Sequence, residues 1–441
     1  MNKKNARNII KERRMNLSME YIETASDKIF EKLLLLLSYF NLKNMEKEYK
    51  ADWVFIVILG VLSMLTPLAI DMYLPSFADI ALDLSVSEEK IQTTLALFTF
   101  GFAFGQLLWG PLSDTYGRKP IIIIGVVIAA VISLVITQIQ DINHFYILRF
   151  IQGFFGASPA VVVGALLRDL FKKNEFARMM SMIMIVMMIA PLAAPIVGGY
   201  LAKWFHWYSI FYLLMCLGLL CASLVFIKIP ETLSKENRSK FDLKTILHNY
   251  LNLLKNRKVL GYILSNSFSY AGMFCFLTSG SLVYTGIYGV AKENFGYFFI
   301  LNIGIMMLAT ALNGKYISKI GTEKALQIGL MIQFLAGIWL FICGFFQLGL
   351  WPMAIGIAVF VGMVSVVSSS ANASILELFP KTAGTANSIT GMIRFGTGSI
   401  VGGILAFFPV TSEKPMLYAI TLSIITALVF YLILVRKTGD N

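Results

Sequence analysis

From residue 52 almost to its end, the chain repeats one pattern twelve times: a run of about 20 apolar residues followed by a polar turn. A helix of that length rises about 30 Å, the thickness of the hydrocarbon layer of a bilayer. No water is available there to bond the backbone, so each segment must satisfy its own peptide groups, which a helix does. The runs fall roughly at 52–76, 91–111, 119–138, 144–168, 179–202, 207–228, 258–283, 294–314, 324–345, 350–372, 385–408 and 415–435. The expectation is an all-α membrane protein of twelve transmembrane helices. With 57% hydrophobic and 14% charged residues and a mean hydropathy of +0.73, the chain is far more apolar than soluble domains are.

The net charge of +12 does not point to nucleic acid, because basic residues collect on cytoplasmic loops for reasons of insertion. Even-numbered connections hold Arg118 and Lys119, then Lys172, Lys173 and Arg178, a cluster over 235–258, Lys315 and Lys319, and Lys381. The first connection sets Lys90 against Asp79, Asp83, Glu88 and Glu89, and the turn at 139–144 has no Lys or Arg. Both termini are therefore predicted cytoplasmic. Cys216, Cys221, Cys275 and Cys343 lie inside the runs without metal or redox spacing, and His144, His206 and His248 lack ligand spacing; no metal or cofactor is expected. Residues 1–51 are polar with one amphipathic stretch, "DKIFEKLLLLLSYFNL". It is too short to span and reads as an interfacial helix or as sequence upstream of a later start.

The longest polar interior segment, 230–257, is the natural boundary between a six-helix bundle at 52–229 and another at 258–436, with a tail at 437–441. The halves read as copies. "GPLSDTYGRK" (Gly110 to Lys119) and "GKYISKIGTEK" (Gly314 to Lys324) share a glycine pair at an offset of about 204; "IVGG" at Ile196–Gly199 recurs at Ile400–Gly403; and "ALLRDLF" ending at Phe171 resembles "ASILELF" ending at Phe379.

At this point the chain resembles the major facilitator superfamily, and within it the bicyclomycin/chloramphenicol-resistance group of twelve-span drug/proton antiporters. The resemblance runs over about 52–436. It rests on the loop motif of Gly110, Asp114, Gly117, Arg118 and Lys119; on "LRFIQGFFGA", with Arg149, Gln152 and Gly153; on "APLAAPIVGGYL"; and on "IDMYLPSF", "AGMFCFLTSGSLVY" and "GMIRFGTGSIVGG". It implies two pseudo-symmetric six-helix bundles, the inner (cytoplasmic) membrane, a functional monomer, small-molecule substrates, protons and the lipid bilayer as partners, and no nucleic acid. The second loop copy has Ser318 and Thr322 where the first has Asp114 and Arg118, so a charge latch there is expected to be weaker.

Asp71 is the acid expected to carry coupling. A carboxylate at membrane depth is costly unless it is protonated, paired or facing water, and a group that is costly to hold charged can take a proton from one side and release it on the other. The alternative is that the first span ends near Pro67 and Asp71 is interfacial. Arg149 sits at similar depth in the fourth span and is its expected partner; otherwise it extends outward to headgroups. Arg394 lies close to mid-membrane in the eleventh span, either meeting a polar or anionic substrate or holding carbonyls of a neighbouring span. Tyr73, Tyr270, Met273 and Phe274 are expected cavity residues, although aromatic and Met side chains at such density mostly face lipid or core. Gly110, Asp114, Gly117, Arg118 and Lys119, with Asp169, read as an inner gate or as a topology signal. Pro191, Pro195, Gly198 and Gly199 suit a bendable, tightly packed fifth span.

The reading is a proton-coupled exporter of amphipathic small molecules or drugs working by alternating access. The sequence contains no GxxxxGK[ST] phosphate loop, so coupling to ATP has no support. A dedicated transporter of one metabolite, such as a siderophore or amino-acid derivative, is the alternative. An intramembrane enzyme or sensor is disfavoured because no span offers His, Asp or Glu pairs at helical spacing.

Overall fold

The computed structural model describes residues 53–436 apart from 172, 235, 237, 240 and 380–382. The expectations for residues 1–51, for Lys172 and Lys381, and for 437–441 fall outside the described residues. Among the described residues the secondary structure is helical, with no strand. Helix α1 (Trp53–Asp71) continues through a 3₁₀ turn at Leu74–Ser76 into α2 (Phe77–Asp83), giving one path of 31 residues. Then come α3 (Glu88–Tyr116), α4 (Arg118–Ile136) and α5 (Ile142–Leu170). The fifth span is two helices, α6 (Lys173–Met187) and α7 (Ile189–Trp204), followed by α8 (Tyr208–Lys228). The connecting segment carries α9 (Leu243–Lys255). The second half is α10 (Arg257–Leu282), α11 (Lys292–Ile320), α12 (Thr322–Phe346), α13 (Leu350–Leu378), α14 (Ala383–Leu405) and α15 (Lys414–Phe430).

Eleven of these paths are long and apolar enough to cross a membrane. The twelfth, α14, has 23 residues, and its Gly, Ser and Thr content and Arg394 make it more polar. Helices α3 and α4 meet at Gly117 (φ +106°, ψ 157°), and α11 and α12 meet at Gly321 (φ +85°, ψ 157°). At both places one residue reverses the chain, in a conformation that favours glycine. The long connection between the halves is anchored differently. Asp242 caps α9, accepting from the Lys244 and Thr245 amides and the Thr245 hydroxyl, which holds its carboxyl below the usual carboxylate range. That cap is in place at neutral pH and is lost as the pH falls through the lowered value.

Packing repeats with the sequence. In the first half α3 lies on α5 and α4 on α8; in the second half α11 lies on α13 and α12 on α15. The two "IVGG" copies make equivalent contacts. A Cβ at Gly198 would collide with the Met72 carbonyl, and one at Gly199 would lie 2.9 Å from the Lys292 oxygen. In the second copy, a Cβ at Gly402 would lie 2.6 Å from the Phe274 ring and one at Gly403 would lie 3.6 Å from Ala96. Each motif thus packs the first helix of its own half and the second helix of the other half.

The seam between halves is closed at the end away from α9. There Lys292 pairs with Asp79, and Lys203 Nζ sits 2.5 Å from Glu293 Oε1. Near the α9 end, a Cβ at Gly164 or Gly314 would meet nothing within 4 Å, and Thr310 and Ser369 are exposed. At the end away from α9 ion pairs tie the halves together, whereas at the α9 end contacts such as Gly384 with Arg168 lie beside open space at Gly164 and Gly314.

Candidate functional site

Two charged residues from different halves approach the middle of the bundle. Asp71 closes α1, near the centre of the Trp53–Asp83 path, and is only 6% exposed. Among the described residues it makes no hydrogen bond or ion pair. The reading that the span ends near Pro67 does not hold: Pro67 lies inside α1, and the helix continues past it. Arg394 lies midway along α14, with its guanidinium carbon 5.4 Å from the centre of the Tyr270 ring and 4.7 Å from that of Phe395. Its Nε is buried without a hydrogen-bond partner. Tyr270, on α10, lies within electrostatic reach of both Asp71 and Arg394, and its ring meets Phe395 edge-on at 5.0 Å. An acid, a phenol and a guanidinium from α1, α10 and α14 therefore converge where the halves face each other.

Arg149 does not join them. It is fully buried in the first half, donating to Gln152 Oε1 at 2.6 Å and to the Ala69 carbonyl at 3.2 Å, and its guanidinium carbon lies 4.3 Å from the ring centres of both Tyr73 and Phe98. Depth matching was sound, since Arg149 reaches α1 two residues from Asp71. Helix geometry defeats the pairing: residues two apart point about 200° away from each other, so the face that Arg149 touches is opposite Asp71. Nor does Arg149 extend to headgroups. Tyr73 is likewise not a cavity residue; it is 1% exposed, and its hydroxyl lies 3.3 Å from Thr94 Oγ1. Phe274 is fully buried against Gly398 and Gly402, whereas Met273 is partly buried.

The loop motif assembles at the α9 end. Arg118 donates to Asp114 at 2.5 Å, to Asp169 at 2.9 Å and to the Ser113 hydroxyl at 2.8 Å. Glu231, which sequence reasoning passed over, accepts from the Arg118 and Lys119 amides, and Thr232 donates to Asp169. A Cβ at Gly117 would lie 2.5 Å from the Glu231 carboxylate, so this glycine serves close approach as well as backbone freedom. The Lys119 ammonium donates to the Phe226 carbonyl, and Gly110 lies near Val161 and Ser388. The signal for Glu231 was present in the sequence as an acid directly after the sixth span, ahead of a basic segment. In the second half, Thr322 donates to the Glu377 carboxylate at 3.3 Å and accepts from Ser374, so a hydroxyl–carboxylate bond stands where the first half has the Arg118–Asp169 ion pair.

In the fifth span the helix is interrupted at Met188, three residues before Pro191. Pro195 is buried within α7. Gly198 and Gly199 bring α7 against the turn after α1 and the start of α11.

Two repeated helical halves closed at one end, with unpaired charges at mid-depth between them, define a polytopic membrane transporter. The chain belongs to the Major Facilitator Superfamily, whose sequence model matches residues 59–403. It is 50% identical over 390 residues to a bicyclomycin resistance protein homolog of Haemophilus influenzae, covering 88% of this chain and 98% of that one. It is 24% identical to multidrug resistance protein D of Escherichia coli, covering 83% and 92% of the two chains. Among solved structures it resembles the nucleoside transporter NupG (TM-score 0.70, 14% identity, 86% and 98% covered) and the xylose transporter XylE of E. coli (TM-score 0.66, 14% identity, 87% and 98% covered).

Proposed function

We propose that the protein exports drugs or other amphipathic small molecules across the cytoplasmic membrane in exchange for protons, as a monomer, with both termini and the α9 end in the cytoplasm. The observation that carries this reading is the pair of charges without a hydrogen-bonded or ionic partner among the described residues, Asp71 on α1 and Arg394 on α14, both within electrostatic reach of Tyr270. A carboxyl with no fixed partner can exchange protons, and a guanidinium with spare donors accepts a polar substrate group. The names of the relatives, which speak of bicyclomycin and multidrug resistance, support the direction of transport and the substrate class. The halves that rock are 52–229 and 258–436, joined by 230–257, and the present state is inward-facing. Expression in an efflux-deficient host should raise resistance across a drug panel, and inverted vesicles should accumulate substrate only when acidified inside. Accumulation that ignores the pH gradient would remove proton exchange from the reading.

In this scheme Arg118, Asp114 and Asp169, with Gly110, Gly117 and Lys119, set the inner gate. Asp114→Ala should slow turnover about two- to fivefold, the range of a half-exposed ion pair, while KM changes little. Stopped-flow efflux checks this; an equal rise in KM would argue against a gating role.

The outer seam should respond to charge as well. Lys292→Glu turns the Asp79 pair into repulsion and places a further acid beside Glu293, so the outward-open population should grow. Accessibility of a cysteine placed beside Tyr270 to an impermeant reagent added from outside should rise. Unchanged accessibility would mean that the ion pairs do not hold the seam.

A further inference from the structure

Helix α9 carries two leucines that packing inside the protein does not explain. It lies on α10 and α14 and sets Tyr250 and Leu253 against the bundle, 6% and 2% exposed, with the Tyr250 phenol donating to the Leu107 carbonyl of α3 at 3.1 Å. Leu247 and Leu251, by contrast, are 47% and 59% exposed.

The side chains follow a definite order around the helix. At about 100° per residue, the packed edge of Tyr250 and Leu253 is followed by Leu247 and Leu251, and then by Lys244, Lys255 and His248. Asn252 and Asn249 come next and close the circle beside Leu253. All seven residues beyond the packed edge are exposed. Protein, hydrocarbon, phosphate and water meet a helix in that same order when it lies along the flank of a bundle in the headgroup layer. A helix with only water on its free side has no use for leucines between the bundle and the lysines.

Depth and charge agree with that placement. Leu107 lies four residues, about 6 Å, inside the inner end of the apolar run at 91–111. A tyrosine side chain is about that long, so a helix whose phenol reaches the Leu107 carbonyl has its axis where hydrocarbon gives way to headgroups. Lys244, Lys255 and His248 make no ion pair among the described residues. The nearby acid, Asp242, is engaged in capping the helix, which leaves the outer edge of α9 with a surplus of positive charge.

We propose that α9 lies in the headgroup layer of the bilayer, with Leu247 and Leu251 among the upper acyl carbons and Lys244, Lys255 and His248 on the phosphates of anionic lipids. Because the same helix is bonded to α3 through Tyr250 and packed on α14, it fastens the connection between the halves to the membrane surface. The partner here is lipid, so the inference stands whether or not the transported solute is a drug.

The test uses the full chain with Cys216, the one exposed cysteine among the described residues, changed to Ala. A bimane label is placed at Leu251→Cys or at Asn249→Cys, and the protein is reconstituted in phosphatidylcholine with or without phosphatidylglycerol. Lipid brominated on the upper acyl chain should quench the label at position 251 and leave the one at 249 bright. At equal mole fraction, brominated phosphatidylglycerol should be enriched beside position 251 over brominated phosphatidylcholine, about fivefold for each lysine in contact. Lys244→Gln with Lys255→Gln should remove that preference while quenching by phosphatidylcholine persists, and Lys244→Arg with Lys255→Arg should keep it. Equal quenching at the two positions, or none at 251, would overturn the placement and leave the leucines to water or to another protein. Equal quenching by the two lipids while both lysines are present would overturn the phosphate contacts, and the proposal with them.

Discussion

Asp71→Asn is expected to abolish uphill export while leaving the protein folded and able to bind substrate. An amide has the shape of the carboxyl but no proton to exchange near neutral pH, so a cycle driven by proton return loses its coupling. Expression should not suffer, because Asp71 makes no hydrogen bond or ion pair among the described residues and a neutral group is cheaper to bury at that depth than a charged one. The geometry sharpens the expectation. With Arg149 committed to Gln152, the Ala69 carbonyl and two aromatic rings, no fixed cation stands ready to neutralise Asp71. Its charge must be balanced by a proton or by the field of Arg394 beyond Tyr270. The measurement is substrate accumulation in inverted vesicles with and without an imposed pH gradient, beside binding by the purified protein. Gradient-driven accumulation by well-expressed Asp71→Asn would sink the assignment of Asp71 as the coupling acid.

Much of the fold was legible because membrane insertion leaves few options. Twelve apolar runs give twelve crossings, and helices such as α3, α5 and α11 run a few residues beyond the hydropathy limits while α4 and α14 stop short of them. The duplication was legible in glycines, since a glycine required for close approach or for positive φ leaves a mark that apolar side chains do not. In the second loop copy Thr322 stands where Arg118 does, and its hydroxyl donates to the Glu377 carboxylate where the first half has an ion pair. The site was less legible. Depth along a helix can be counted from a sequence, whereas azimuth toward a particular neighbour depends on packing, and this is why Asp71 and Arg149 were matched in depth yet face different ways. For the same reason Tyr73 falls inside the first half. The Asp79–Lys292 and Lys203–Glu293 pairs had no sequence signal at all. They join residues from opposite halves, and only the docking of α7, and of the turn that leads into α2, on α11 brings them together.

Arg394→Ala should discriminate between substrates more sharply than any other single change in the second half. The guanidinium sits at the middle of α14 against the rings of Tyr270 and Phe395, with Nε unbonded, so it holds donor capacity that the protein does not use. Hydrogen bonds to a charged group contribute about 1.5–3 kcal/mol each, and a tenfold change in binding corresponds to about 1.4 kcal/mol. Anionic and zwitterionic substrates should therefore bind about 10- to 100-fold more weakly to the alanine variant. Lipophilic cations should be unaffected or improved, because a like charge has been removed from their path. Arg394→Lys keeps the charge but loses the planar fork and its stacking on the two rings, so it should retain part of the transport. The competing account gives Arg394 a structural task, holding α14 against α10 through those rings. It makes a different prediction: expression would fall, and every substrate would suffer alike. Affinity for one anionic and one cationic probe, measured on protein quantified by size-exclusion chromatography, separates the two, and a uniform loss would remove Arg394 from substrate recognition.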